Sequence, residues 1–202
     1  LSPRLIRAGD IVMLIGQALD QGPLLVTFCG LSAVVGARTF STAELLVPER
    51  GGASRVCDVE AVGLATVTLP AAATWRLTLT SATPSTGPSA GGTQVTLAGS
   101  AIPPDVAVTV GTLAATSVMV ASEASVALIT PMGSGGAASD IRVHEVLDAE
   151  NDAALVGGFT FEEPLSIGRV QPERGAIAGG TLVTVLGSGF GSSTVIKFGS
   201  YN

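Results

Sequence analysis

Histidine occurs once in this sequence of 202 residues, at His144, and that scarcity removes most acid–base and nucleophilic catalysis. A Ser-His-Asp or Cys-His arrangement would have to pass through it. His144 follows Ile141 and Val143 in a strand-like alternation, which predicts a solvent-facing position beside Arg142. Charge is scarce too: charged residues make up 13%, the net charge is −6, and the Lys and Arg residues nowhere cluster. A nucleic-acid binder needs a basic footprint, so that class is excluded. An anionic membrane surface would repel the chain as well. The longest apolar stretches, such as Ile11 to Ile15, are strand-length and are broken by Gly or polar residues. None approaches the roughly 20 residues of a membrane helix, so no direct membrane insertion is expected in these residues. Aromatic residues are only 4% against 47% hydrophobic. Cores must therefore be built from Val, Leu, Ile and Ala rather than large rings.

What the sequence does have is repetition. Pro84-Ser-Thr-Gly-Pro-Ser-Ala-Gly-Gly-Thr93, followed by Val95-Thr-Leu-Ala-Gly99, reappears as Pro172-Glu-Arg-Gly-Ala-Ile-Ala-Gly-Gly-Thr181 with Val183-Thr-Val-Leu-Gly187. A more divergent copy opens the chain, with Pro3, Asp10 and Val12-Met-Leu-Ile-Gly16 at matching steps. An apolar residue follows each of these glycines, Leu19, Ile102 or Phe190, and then come Val26-Thr-Phe-Cys-Gly30, Val106 to Gly111 and Val195 to Gly199. Counting glycine to glycine gives the first copy an insertion near Asp20 to Pro23. A period of about 85 residues lies near the lower end of domain size. The expected organisation is module 1 at 1–77, module 2 at 78–162 and the N-terminal half of module 3 at 163–202, as a stretch of something longer. The connections, taken at Thr78 to Ala82 and Glu163 to Ser166, are short enough to hold neighbours in nearly fixed orientation.

Two-residue alternation dominates: Val95 and Leu97 against Gln94 and Thr96, Val106, Val108 and Val110 against Ala107 and Thr109, Ile141 and Val143 against Arg142 and His144. This is the period of strands with one buried face. Gly-Pro, Gly-Gly, Pro-Pro and Ser-Gly breakers fall between them, and no amphipathic helix of ordinary length is present. The fold class is therefore all-β, as tandem antiparallel sandwiches. In the repeated phrase, Pro suits an edge strand, Gly-Gly a turn with positive φ, and Thr-x-Val-Thr the following core strand.

These residues resemble the IPT/TIG domain. The matching pattern is Pro, Gly-Gly-Thr, Val-Thr, Gly with an apolar residue three places on, a Val-rich strand ending in Gly, Thr130-Pro131 and a closing Gly158-Phe-Thr-Phe161. In the first copy Asp10 replaces Thr and Trp75 stands for the closing aromatic. The resemblance implies an immunoglobulin-like sandwich used in receptor stalks, microbial surface proteins, accessory modules of starch-acting enzymes and Rel-type factors, without a shared activity.

No catalytic, cofactor-binding or metal-binding set is expected. Asp148-Ala-Glu-Asn-Asp152 gathers oxygen ligands of the kind calcium takes, but it lacks the spacing of a calcium loop and is expected as a solvated hairpin tip. Aligned with the other copies, Cys29 takes the place of Val110 and Phe198, and Cys57 falls close to Ile141, so both should point inward. Strands at those positions of an immunoglobulin-like sandwich are neighbours. The two are then either one intramodule disulfide or a pair of buried thiols. Ile11, Met13 and Ile15 lie on the face opposite Val12 and Leu14, which makes that strand apolar on both sides. The extra face is either an interface or is covered by the module's own loops.

The function expected is a non-catalytic structural or adhesive segment of a large extracellular or cell-surface protein, a rod, spacer or filament-forming module working through protein–protein contacts with neighbouring modules or copies of itself. The alternative is a receptor stalk or an accessory carbohydrate-binding module, against which the scarcity of aromatic platforms counts.

Overall fold

The computed structural model describes residue 1, residues 3–191 and residues 194–199. They form strands and turns, and no helix among them is long and apolar enough to cross a membrane. In the first sandwich the strands are β1 (Leu5–Ile6), β2 (Ile11–Ile15), β3 (Leu25–Phe28), β4 (Leu31–Ser32), β5 (Val34–Arg38), β6 (Thr42–Leu46), β7 (Val56–Val62) and β8 (Thr66–Trp75). One sheet has the order β1-β8-β7-β3-β4 and the other β2-β6-β5. The second sandwich contains β9 (Thr78–Thr83), β10 (Thr86–Pro88), β11 (Gln94–Ser100), β12 (Val106–Val110), β13 (Leu113–Ala114), β14 (Thr116–Ser122), β15 (Ser125–Ile129), β16 (Ala138–Glu145) and β17 (Asp148–Glu162). Its sheets run β10-β17-β16-β12-β13 and β14-β15-β11-β9. A hairpin of β18 (Ser166–Gln171) and β19 (Thr184–Ser188) begins a third unit.

Alternation builds both cores. Val95, Leu97, Val126, Ile141 and Val143 are fully buried while Gln94, Thr96 and Arg142 on the same strands face water. Phe159 and Phe161 close the second core edge to face, with ring centres 5.0 Å apart. Trp75 occupies the position of Phe161, as the register Val56 to Thr74 matches Ala138 to Thr160. Each fully buried Val, Leu or Phe contributes about 2 kcal/mol. Gly91 and Gly92 have φ of 78° and 83°, and a Cβ on Gly91 would run into the Pro131 backbone, so the turn before β11 admits only glycine there. Pro84 separates β9, which pairs with β11 in one sheet, from β10, which pairs with β17 in the other.

Four expectations change here. Thr78 to Ala82 is not a connection but most of β9; only Arg76 and Leu77 separate β8 from β9. The glycines Gly30 and Gly111 are not equivalent: Phe28 pairs with Val59 as Val110 pairs with Ile141. Cys29 thus takes the hairpin position of Gly111 rather than of Val110, and Cys57 that of Ser139 rather than Ile141. Asp148 to Asp152 lies in β17, and the hairpin tip is the exposed pair Val146–Leu147. Val195 to Lys197 forms no strand. In the second sandwich the corresponding β12 is held by β16. Ile102 plugs the second core, whereas Phe190 remains partly exposed. Tyr201 lies outside the described residues.

Candidate functional site at the junction of the sandwiches

With two residues between β8 and β9, the C-terminal end of the first sandwich meets the N-terminal end of the second, and opposite charges face each other there. Arg55 precedes β7, and its Nη1 and Nη2 donate to Glu145 Oε2 and Oε1, both at 3.1 Å, in a bidentate pair. Both side chains are only 15% exposed. Glu145 Oε2 also accepts from Asn151 Nδ2 at 2.8 Å. Asn151, wholly buried, accepts the Leu77 amide at its Oδ1 at 2.9 Å, so its two ends tie the connecting segment to the ion pair. Arg76 Nη1 donates to Glu150 O at 2.9 Å. Arg50 pairs with Glu123, and Ala101 of the second sandwich packs into the apolar core cluster of the first.

This arrangement has a definite energetic character. Drawing an Arg and a Glu out of water costs several kcal/mol, and fork-to-fork geometry with every remaining oxygen partnered recovers it. The net stabilisation is small, but any tilt of one sandwich on the other strands a buried charge. The junction therefore fixes an angle more than it adds affinity. A cleft of about 520 Å3 opens beside it, with Arg4, Arg55 and Arg76 facing Glu145, Asp148 and Glu150. The charges balance, which leaves no net field to select an ion.

Cys29 and Cys57 are joined as a disulfide, with Cα atoms 5.1 Å apart. Cys57 is buried, but Cys29 is half-buried at the hairpin turn with φ of 50°, not inward on a strand. The bridge ties the β3–β4 hairpin to the end of β7 that carries Arg55. Beside it, Asp58 Oδ1 accepts the Ala71 amide at 2.8 Å, as Asp140 Oδ1 accepts that of Gly157 at 2.9 Å. Ala71 and Gly157 both have positive φ, 47° and 61°, so each carboxylate anchors an equivalent bulge of the closing strand.

The acidic run is split between roles: Glu150 and Asn151 join the junction, and among the described residues no group of three or more His, Cys, Asp or Glu converges on a metal position. His144 is half-buried, paired across the sheet with Ala107 and Asp152. Ile11 and Ile15 are 68% and 64% exposed, so that end of the strand face is uncovered at both positions, whereas Met13 between them is half-buried. Sequence reasoning missed Arg55, Arg76 and Glu145, and read Glu150 as part of a solvated hairpin tip, whereas its carbonyl accepts from Arg76. Their signal was in the sheet register, which puts Ala137 and Glu162 where the first sandwich has Arg55 and Arg76.

Strand order, register and coupling through a two-residue connection define a tandem of immunoglobulin-like sandwiches. The sequence profile of the IPT/TIG domain matches residues 77–161 and 165–202, and the chain belongs to the IPT/TIG family. Residues 1–76 fall outside that match and share the sheet order of the second sandwich, with β2-β6-β5 in the places of β11-β15-β14; β9 has no counterpart among them. Among solved structures the chain is similar to the plexin A4 full extracellular region, at 20% identity over 89% of this chain and 16% of that one, with a TM-score of 0.41. It is also similar to SGBP-B from a complex xyloglucan utilization locus in Bacteroides uniformis, at 14% identity over 79% of this chain and 47% of that one, with a TM-score of 0.38. The I9–I11 tandem from titin aligns at 9% identity over 79% of this chain and 62% of that one, with a TM-score of 0.30. The chain thus spans less than two thirds of each. No curated protein matches it.

Proposed function

We propose that this chain is a non-catalytic structural segment of a multi-module extracellular or cell-surface protein, with modules at 1–77, 78–162 and 163–202 acting as a rod, spacer or assembly unit through protein–protein contacts. The observation that carries the reading is the Arg55–Glu145–Asn151–Leu77 linkage, which holds successive sandwiches at one angle as a spacer requires. The Cys29–Cys57 bridge supports an oxidising compartment, where such bonds persist. Trp75 is spent on the core, and among the described residues the exposed aromatic side chains are Phe40, Phe190 and Phe198, which gives a carbohydrate-binding role little aromatic platform. Electron microscopy of the native full-length protein tests the proposal: rods or filaments with a repeat set by the module length are expected, and isolated compact particles would contradict it.

A further inference from the structure

The disulfide and the charged lock occur in the same sandwich, and both are missing from the other. Cys29, Cys57 and Arg55 of the first stand where the second has Gly111, Ser139 and Ala137. Only Val56 lies between Arg55 and Cys57. The strand pairing makes that nearness mechanical. β3 runs along β7 from Leu25–Val62 to Phe28–Val59 and stops short of the start of β7. There Val56 and Cys57 pair with Thr74 and Ala73 of β8, and Trp75 N donates to Arg55 O on the same side. On the opposite side the stretch from Ser54 to Cys57 is held by the bridge, with Cys29 Sγ 3.6 Å from Ser54 O.

From Arg55 the line of contacts continues to Glu145, Asn151 and the Leu77 amide, so one contiguous network runs from the sulfurs to the connecting segment. The sulfurs are also within reach of solution. A cleft of about 490 Å3, lined by Cys29, Ser54, Cys57, Asp58 and Glu60 among others, opens beside them. Cys29 is half-buried and Cys57 buried, so Cys29 Sγ is the more accessible of the pair. The carboxylates of Asp58 and Glu60 on the wall disfavour an anionic reductant there.

We propose that the Cys29–Cys57 bridge is a cleavable latch on the junction: a neutral dithiol entering this cleft opens it, and the two sandwiches lose their fixed angle while each stays folded. One thiolate of the dithiol attacks Cys29 Sγ, and Cys57 leaves as a thiolate that takes up a proton. The second thiol then displaces Cys29, so two electrons and two protons pass to the protein and the dithiol ends as a cyclic disulfide. With the bridge open, the strand end carrying Arg55 is held from the β8 side, and a bidentate pair tolerates little displacement. The junction adds little net stability, so its release is read in orientation and not in the melting of the second sandwich. This inference goes beyond the spacer reading, which stands whether or not the bridge opens.

The test records residual dipolar couplings and amide hydrogen exchange on the 202-residue chain with and without dithiothreitol. Oxidised, residues 5–75 and 78–162 should share one alignment tensor; reduced, they should need two. Exchange at the Leu77 amide, which Asn151 Oδ1 accepts, is expected to quicken by about tenfold or more on reduction, while protection in β3 and β6 persists. Cys29→Gly with Cys57→Ser installs the residues with which the second sandwich folds, and this double variant should need two tensors with or without dithiothreitol. A single tensor in the reduced chain or in the double variant would overturn the proposal. So would loss of protection throughout the first sandwich in either, because the bridge would then hold the fold rather than the angle. Two tensors already present in the oxidised chain would overturn it as well, since no lock would be left to open.

Discussion

The C-terminal ends of the first and second sandwiches are built on the same strands and carry opposite chemistry. The first presents Arg55 and Arg76 to Glu145 and Glu150 of its neighbour. At the equivalent places the second presents Ala137 and Glu162, and it meets the third unit through backbone: a Cβ on Gly189 would crowd Glu163 O, Pro164 O and Leu165 N, each at 2.8 Å. Ala101, the counterpart of Gly189, keeps its methyl and packs it into the first core. One repeat thus supports two kinds of junction. A charged, buried lock fixes orientation because its alternatives leave unpaired charge, whereas a glycine contact fixes only distance of approach.

The sharpest way to break this contrast is Glu145→Ala. It leaves the Arg55 guanidinium and the Asn151 amide buried without a partner, and loss of one member of such a pair costs about 3–5 kcal/mol. Differential scanning calorimetry is expected to show the first and second sandwiches melting separately, with the second-to-third contact unaffected. Next in size is the disulfide, which closes a loop of 28 residues. Cys57→Ser, or reduction, should lower the stability of the first sandwich alone by about 3 kcal/mol in denaturant titration.

A gain is expected when the same device is moved to the second sandwich. A Cβ on Gly111 would stand 3.8 Å from that of Ser139, within the range a disulfide spans, and Cys29 shows that a cysteine takes the positive φ of this turn. Gly111→Cys with Ser139→Cys should oxidise spontaneously and stabilise the second sandwich by about 2 kcal/mol, read as a reductant-sensitive shift in its melting. The smallest effect belongs to Arg50→Ala. Arg50 itself is 16% exposed, but its partner Glu123 is 48% exposed and stays solvated without it, so the loss is expected to be about 1 kcal/mol, well below that of Glu145→Ala. A loss as large as that of Glu145→Ala would mean that peripheral charge, not the buried pair, holds the junction.

The strand framework was legible in the sequence because alternation and Gly-Gly turns are local signals, and Val95, Leu97, Ile141 and Val143 are buried as their spacing predicts. The junction was not. Arg55 and Glu145 lie in different modules, and nothing in either segment states that a two-residue connection will bring them together. The cysteine positions were misaligned because Gly30 and Gly111 look equivalent in the sequence, while the hairpin register makes Cys29 the counterpart of Gly111. The acidic run looked like a solvated turn, because whether Asn151 faces solvent or a neighbouring sandwich depends on packing between modules rather than on composition.

Residual dipolar couplings from backbone amides of the two complete sandwiches test the central claim most directly. If the junction fixes their orientation, couplings from residues 5–75 and 78–162 fit one alignment tensor in the unmodified chain and separate into two in Glu145→Ala. Two independent tensors in the unmodified chain would contradict the account.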